Sequence, residues 1–273
     1  MAIDLRLSLP DGMGPPIAHR RIITPYAPLL SHPKPRASQK MELVFGQGFD
    51  VHAEQGRWVL GRASPLVSGS RRQGYVGWVA AKALGDLQGV IQPELTYQVT
   101  SISAPVFSRA DLKSHIVMSL PLGARISVMS ETETYCQIGA GAYLSRLHVR
   151  ALSNPEPDII AVARRFLGQP YIWGGNGARG VDCSGLVQMS LAACGIDAPR
   201  DADLQEKALG QSVASPEQAG DLLFWPGHVG LLAARNSLLH ANATHMAVVE
   251  EPLMPALERM KHAGINLRAV KRL

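Results

Sequence analysis

The stretch GVDCSGLVQ, residues 180–188, places a cysteine between an aspartate and a serine, at the start of an apolar run. The run predicts a helix that begins near Cys183. Free N–H groups and the macrodipole at a helix start stabilise a thiolate, the nucleophilic form of cysteine. Gly180 permits a tight approach, and Gly185 keeps the first turn uncrowded. The stretch therefore predicts a nucleophile, and the alternative is a buried structural cysteine.

A cysteine nucleophile needs a base, usually a histidine that a third polar group orients. The chain has nine histidines, of which His228 opens a strand-like run and His240 ends the next one. Antiparallel neighbours joined by a short turn bring side chains to one face. We therefore expect His228 to meet Cys183, with His240 or Asn242 behind it.

The other cysteines carry no comparable setting. Cys136, Cys183 and Cys194 are few, odd in number and without CxxC spacing. This pattern argues against a disulfide framework and against a zinc cage, so we expect reduced thiols and no metal or other cofactor. Cys194 in LAACGI and Cys136 in a strand-like run fit a structural role.

Composition and charge exclude several classes of protein. Of the 273 residues 46% are hydrophobic and 18% charged, and no apolar run approaches the roughly 18 residues that span a bilayer. The N-terminus MAIDLRLSLPDGMGPP has no apolar core behind a basic start, so we expect a cytoplasmic protein. The net charge of +5 is spread out and aromatic residues are 5%, which gives little support to nucleic-acid binding.

The chain divides into four predicted parts. Residues 1–40 are rich in proline and predict an extended segment that wraps or links. Residues 41–90 and 91–152 contain short strand-like runs with glycine turns, which predict two small β barrels. Residues 153–273 predict an α+β domain, because helical patterns come first and strand-like runs follow.

The last part has clear local patterns. The first predicted helix covers residues 159–167, where apolar residues line one face. The second begins at Cys183 and has Val187, Leu191 and Cys194 on one face, and the third covers residues 201–209. The predicted strands are residues 221–225, 228–232, 237–241 and 246–250.

Four motifs in this part occur together: PYIWGGNGARGVDCSGLVQ, APRDADLQ, GDLLFWPGHVGLL and LLHAN. In order and spacing they resemble the NlpC-type family of bacterial cell-wall cysteine endopeptidases over residues 155–273. The resemblance implies a papain-like fold, with Cys183 as nucleophile, His228 as base and His240 as orienting residue. It also implies Tyr171 near the oxyanion site.

The residues that flank the nucleophile, Asp182 and Ser184, resemble residues that bind the stem peptide of the substrate. Helix capping and packing are an alternative role for Tyr171, Asp182 and Ser184, and the two roles are compatible.

Residues 41–150 are similar to the paired bacterial SH3-like modules that precede this domain in one branch of the family, with GYVGWV, residues 74–79, as the clearest piece. That branch cleaves between γ-D-glutamate and the diamino acid of peptides with a free N-terminal L-alanine. A tyrosine and an acid of the first module help to hold the alanine. Tyr75 matches the tyrosine, and Glu42, or else Glu54, is assigned as the acid.

The sequence thus predicts a multidomain protein: two small all-β SH3-like barrels followed by an α+β papain-like catalytic domain. The predicted activity is a γ-D-glutamyl-diamino acid endopeptidase acting on free murein peptides, without nucleic-acid or membrane partners. The alternatives are an amidase or hydrolase of intact peptidoglycan, an acyltransferase on the same scaffold, and a non-enzymatic wall-binding protein. The oligomeric state and the diamino acid stay open.

Overall fold

The computed structural model describes residues 4–86 and 94–273, which form two compact units, Met1–Pro155 and Glu156–Leu273. The boundary between these units lies close to the predicted domain start at residue 153. The predicted boundary between the two β modules, at residues 90 and 91, falls outside the described residues.

The first unit contains a seven-stranded antiparallel sheet. Its strands are β1 (Ala18–Ile22), β2 (Tyr26–Leu30), β3 (Gln39–Val44), β4 (Gly48–Gln55), β5 (Trp58–Ala63), β6 (Val76–Ala80) and β7 (Leu84–Asp86). They pair in the order β3-β2-β6-β5-β4-β1-β7. A two-residue turn joins β4 to β5, where Gly56 has φ 57°, a conformation that favours glycine in tight hairpins.

The N-terminal segment differs from its prediction. Residues 1–40 were expected to be an extended arm or linker, yet β1 and β2 lie inside the sheet, and Leu29 is fully buried. Proline normally argues against an interior strand because it lacks an N–H. Pro28 is accommodated because the β2–β6 pairing consists of Leu30 opposite Trp78, so no ladder bond to β6 is needed at Pro28.

The rest of the first unit is also mostly β. Its strands are β8 (Tyr97–Val99), β9 (Ser103–Phe107), β10 (Ile116–Pro121), β11 (Arg125–Ile126), β12 (Ser130–Glu131), β13 (Tyr135–Gly139), β14 (Ala142–Ser145) and β15 (Val149–Ala151). They form a five-stranded and a three-stranded sheet around a core that includes Leu120 and Leu144. The Arg125 N–H donates to the Phe45 carbonyl at 2.9 Å, which ties this region to the first sheet. The SH3-like character of the two regions stays a prediction.

The second unit has the predicted order of helices before strands. Its elements are α1 (Ile159–Arg164), α2 (Cys183–Ala193), α3 (Ala202–Ala208), β16 (Gln211–Val213), β17 (Leu222–Trp225), β18 (His228–Ala234), β19 (Ser237–Asn242), β20 (Ala247–Pro252), α4 (Leu253–His262) and β21 (Ala269–Arg272). The strands form one sheet in the order β16-β21-β17-β18-β19-β20. The sequence reading did not identify β16, α4 and β21.

Helix α2 is the centre of the second unit. It contacts α1, α3, β18 and β19, and it is buried on nearly all sides, not only on the predicted face of Val187 and Leu191. A helix that is apolar all round is typical of a core position. No helix among the described residues is long and apolar enough to cross a bilayer.

Candidate active site

Cys183 lies at the predicted place, as the first residue of α2. Asp182 is the N-cap, and its carboxylate accepts the Gly185 N–H at 2.7 Å. The Asp182 carbonyl accepts the Leu186 N–H at 2.9 Å. Asp182 therefore caps the N-terminus of α2 next to the thiol. The Cys183 N–H is one of the first N–H groups of the helix, which have no acceptor within the helix.

The two glycines of the motif allow the close approach that the sequence predicts. A Cβ on Gly180 would lie 2.4 Å from the Pro170 carbonyl oxygen. A Cβ on Gly185 would lie 2.3 Å from the Gly175 carbonyl oxygen. Any side chain at either position would displace the backbone that surrounds the cysteine.

The two candidate histidines form a pair. His228 opens β18 and His240 lies on the neighbouring antiparallel strand β19, so the predicted hairpin is confirmed. His228 Nε2 lies 2.9 Å from His240 Nδ1, and the Trp225 ring lies beside His228 with centroids 5.5 Å apart. His240 is fully buried.

The thiol lies against the segment that carries His228. Cys183 Sγ is 4.0 Å from the Gly227 carbonyl oxygen. Burial, together with the Asp182 carboxylate, raises the pKa of the thiol to about 11, and the backbone N–H of Val229 acts in the opposite direction. Residues on both sides of His228 therefore contact the cysteine, as the pairing of Cys183 with His228 requires.

Burial also determines the charge of the histidines. It lowers the pKa of His228 to about 3, with a further decrease from His240, and it lowers the pKa of His240. Both rings are therefore neutral at pH 7. The expectation of a thiolate stabilised by the helix start is therefore corrected: burial outweighs the helix N-terminus, and the free site holds a neutral thiol and a neutral imidazole. The thiol loses its proton only when a base accepts it.

Asp182 and Ser184 belong to a buried network that includes Arg200. The Arg200 guanidinium donates to Asp182 Oδ1 at 2.8 Å, to Asp182 Oδ2 at 2.7 Å and to Ser184 Oγ at 2.9 Å. Gly174 N–H donates to Asp182 Oδ2 at 2.7 Å. Arg200 is 2% exposed. The capping role of Asp182 is thus confirmed, whereas contact of Asp182 and Ser184 with a stem peptide stays a prediction.

The sequence reading missed the role of Arg200. The signal was present in APRDADLQ, since an arginine that is buried needs a carboxylate partner, and Asp182 is a buried acid. The pairing depends on the fold and has no fixed spacing in the chain.

Tyr171 is close enough to Cys183 and Asp182 for their charges to act on its phenol, and its place at an oxyanion site stays a prediction. Burial raises its pKa, and the nearby Cys183 and Asp182 raise it further. Its N–H donates to the Met246 carbonyl at 2.9 Å, and it bridges to Val181, which immediately precedes Asp182. The phenol therefore stays protonated and can donate a hydrogen bond.

The two residues assigned to the substrate amine lie in the other compact unit. Glu42 is on β3 and fully buried, and Tyr75 immediately precedes β6 and is 4% exposed. Glu54 is near the end of β4, where it forms an ion pair with Arg20. Their roles stay predictions.

Behind His240 lies a carboxylate that the sequence reading did not identify. Glu251 Oε1 is 2.8 Å from His240 Nε2, and Arg259 donates to both Glu251 oxygens, at 2.6 and 2.8 Å. A signal was present, because two adjacent acids on a strand, Glu250 and Glu251, must point to opposite faces. One of the two had to face the interior and therefore needed a partner.

The described residues contain no cluster of three or more His, Cys, Asp or Glu side chains that could hold a metal ion. The candidate site contains a thiol, two imidazoles, a phenol, the carboxylates of Asp182 and Glu251, and backbone N–H groups.

Comparisons with known proteins agree with this architecture. The model of the NlpC/P60 family matches residues 168–265. A gamma-D-glutamyl-L-lysine dipeptidyl-peptidase of Bacillus subtilis (strain 168) is 31% identical over 222 residues, which cover 76% of this chain and 73% of that protein. A protein of the same name from Bacillus cereus is 26% identical over 234 residues, covering 78% and 70%.

The fold has a counterpart among solved structures. The crystal structure of a NlpC/P60 family protein from Bacillus cereus ATCC 10987 superposes with a TM-score of 0.78 at 22% identity, covering 93% of this chain and 99% of that one. At this identity the likeness concerns the fold. Together with the family model and the Bacillus subtilis relative, it leads to one conclusion: the chain belongs to the NlpC/P60 family of peptidoglycan-related peptidases.

Proposed function

We propose that this protein is a cysteine endopeptidase that hydrolyses the bond between γ-D-glutamate and the diamino acid of peptidoglycan peptides, in recycling of cell-wall peptides. The observation that carries the proposal is the position of Cys183 at the start of α2, against Gly227, the residue before His228, whose ring pairs with that of His240. Similarity to two Bacillus gamma-D-glutamyl-L-lysine dipeptidyl-peptidases supports the substrate class.

The first step forms a thioester. His228 uses Nε2 toward His240, so Nδ1 is the ring nitrogen left for the thiol. Nδ1 takes the proton of Sγ while Sγ attacks the γ-carbonyl carbon of D-glutamate. General-base catalysis suits this site because burial keeps both partners neutral before the substrate arrives.

The tetrahedral oxyanion needs hydrogen-bond donors. The Cys183 N–H at the helix start and the phenol of Tyr171 are the candidates, because both belong to the surroundings of the thiol and neither has to lose a proton. When the intermediate collapses, the C–N bond breaks and His228 gives its proton to the leaving amine of the diamino acid.

The second step releases the product. A water molecule gives a proton to His228 and attacks the thioester carbonyl, and the C–S bond breaks. The sulfur takes the proton back, which restores the neutral thiol. The products are L-Ala-D-Glu and the free diamino acid.

The preference for a free amino terminus rests on the sequence resemblance. A carboxylate such as Glu42 and the hydroxyl of Tyr75 would form charge-assisted hydrogen bonds with the ammonium of L-alanine. Acylation removes that charge and adds bulk at the amino terminus of the substrate. The expected loss is about a hundredfold or more in kcat/KM.

The test compares three substrates by mass spectrometry of the products: L-Ala-γ-D-Glu-diaminopimelate, its N-acetyl form and intact sacculi. We expect fast cleavage of the free tripeptide at the γ-D-glutamyl bond and slow cleavage of the other two. Equal rates for the free and acetylated peptides would contradict the preference for a free terminus. Cleavage at another bond, transfer to an added amine in place of hydrolysis, or binding of sacculi without products would each support one of the alternatives.

A further inference from the structure

Four side chains of the second unit form a continuous line of polar contacts. His228 Nε2 lies 2.9 Å from His240 Nδ1, and His240 Nε2 lies 2.8 Å from Glu251 Oε1. Arg259 on α4 then donates to both oxygens of Glu251. The line therefore runs from the base of the proposed mechanism to an ion pair on the far side of β19.

The chemistry of the last pair determines where each proton lies. An ionised carboxylate only accepts hydrogen bonds, so His240 must carry its proton on Nε2. The Nδ1 atom of neutral His240 is then an acceptor, and His228 must donate to it from Nε2. The neutral His228 ring consequently has its lone pair on Nδ1, on the side that is left for the thiol.

Glu251 is ionised, and this is the premise of the argument. Burial opposes its ionisation, but the hydrogen bonds from Arg259 and His240 outweigh burial, and the pKa of Glu251 is lowered. The bidentate arrangement with Arg259 also fixes the carboxylate in place.

Asn242 offers a competing arrangement that the geometry disfavours. Its amide nitrogen lies 3.0 Å from His240 Nε2, because its oxygen is turned to the His245 N–H at 2.9 Å. If the Asn242 amide donated to His240, Nε2 would have to be unprotonated. The lone pair of Nε2 would then face the negatively charged Glu251 oxygen at 2.8 Å, which is repulsive. The charged acceptor forms the stronger bond, so Nε2 keeps its proton.

We propose that Glu251 is a positioning residue that sets the tautomer of His240 and, through it, of His228, so that Nδ1 of His228 receives the proton of Cys183. The inference rests on the proposed function, because it takes His228 as the base. It extends the Cys183–His228–His240 set by one carboxylate, which its Arg259 partner holds in the ionised form.

The chain supplies a matched control one residue away. Glu250 lies on the same strand and forms an equally bidentate ion pair with Arg164, at 2.8 and 2.8 Å. It also accepts from Ser237 Oγ. Glu250→Gln therefore removes the same charge from the same strand without touching the histidine line.

The decisive variant is Glu251→Leu. Glu251 Oε1 accepts from both His240 Nε2 and Arg259, so a glutamine oxygen in the same place would keep both hydrogen bonds. Leucine removes the acceptor, and the Asn242 amide nitrogen, 3.0 Å away, is then the polar group that faces His240 Nε2. His240 must move its proton to Nδ1 and donate to His228 Nε2, which leaves His228 Nδ1 protonated. The wrong tautomer costs up to about ten-thousandfold in kcat, the scale known for a catalytic triad with an inverted histidine.

The experiment measures tautomers directly, by two-bond ¹H–¹⁵N correlation spectra of the full chain labelled with [¹⁵N]histidine. Substitution of each histidine assigns the signals. We expect Nε2–H for both His228 and His240 in the wild type and in Glu250→Gln, and Nδ1–H for both in Glu251→Leu. Glu251→Asp, which keeps the carboxylate, should retain Nε2–H. Nδ1–H at His240 in the wild type would overturn the proposal, even if no variant folds.

Kinetics provide the second readout. For Glu251→Leu we expect the loss in kcat with KM changed by less than about threefold, and alkylation of Cys183 by iodoacetamide slowed at least about tenfold. Glu250→Gln should match the wild type within about twofold. Equal activity of Glu251→Leu and Glu250→Gln would refute the proposal. If the wild type fails to cleave the tripeptide, the proposed function fails, whereas the spectra and the alkylation rates still decide the role of Glu251.

Discussion

Replacing Arg200 by methionine should destabilise the second unit strongly, because Arg200 is the buried partner of Asp182, the acid that caps α2. Arg200→Met keeps an apolar stem and removes the guanidinium. Asp182 then keeps the N–H groups of Gly174 and Gly185, both at 2.7 Å, but loses its counter-ion.

The expected magnitude follows from burial. Breaking a buried ion pair by removing one partner costs about 3–5 kcal/mol, because a carboxylate is left without compensation. The remaining backbone donors favour the lower end, about 3 kcal/mol. For a domain of about 100 residues this lowers Tm by roughly 10–15 °C. The matched control is Arg164→Met, whose ion pair with Glu250 is largely solvent-exposed and contributes about 0–1 kcal/mol.

Scanning calorimetry of the full chain measures both variants. The transition of the second unit should shift for Arg200→Met and stay nearly unchanged for Arg164→Met. A second signature is slower alkylation of Cys183, because the Arg200 charge lowers the pKa of the thiol. If Arg200→Met cost less than about 1 kcal/mol, as expected for the exposed control, the backbone donors would suffice for Asp182 and the reasoning would be wrong.

Three further predictions concern the chemistry. Iodoacetamide should label Cys183 before Cys136 and Cys194, and Cys183→Ala should abolish turnover without unfolding the chain; turnover above a few per cent of wild type would exclude Cys183 as nucleophile. The plot of kcat/KM against pH should be bell-shaped with a broad plateau, because the pKa of His228 is lowered to about 3 and that of Cys183 is raised to about 11. A fall in kcat/KM on the acid side at or above pH 6.5 would contradict a neutral Cys183 and a neutral His228 in the free site. As the pH falls, His228 takes up its proton near pH 6.5 in the unfolded chain but only near pH 3 in the folded one. The free energy of unfolding should therefore keep this contribution above about pH 6.5 and fall by up to about 1.4 kcal/mol per pH unit below it. Chemical denaturation at several pH values should show a weaker pH dependence for His228→Ala.

The parts of the fold that follow from local chemistry were predictable from the sequence. The start of α2 at Cys183 combines an aspartate cap with an apolar run, and the β18–β19 hairpin combines two apolar runs with a short polar turn. Both signals are contained in about ten neighbouring residues. They placed Cys183 at the start of α2 and both histidines on one hairpin.

The missed elements depend on tertiary contacts. Strand β2 contains Pro28, and it is stable as a strand because β3 pairs with it along most of its length. Helix α4 is different, because its sequence carries a signal that was overlooked. Leu253, Ala256, Leu257 and Met260 recur at i, i+3, i+4 and i+7, and this face packs against the core of the second unit.

The missed site residues share one reason. Arg200 and Arg259 each hold a carboxylate that lies in a different element, and the partner is decided by the fold. The sequence shows that a buried charge needs a partner, but spacing along the chain does not identify which acid it meets.

The most direct test of the central claim is to trap the intermediate. The reaction of the full chain with L-Ala-γ-D-Glu-diaminopimelate is quenched in acid within one turnover, digested, and examined by mass spectrometry. We expect one L-Ala-D-Glu acyl group, as a thioester, on the peptide that contains Cys183, and none in Cys183→Ala. Turnover with no acyl group on Cys183, or an acyl group on another residue, would contradict the account.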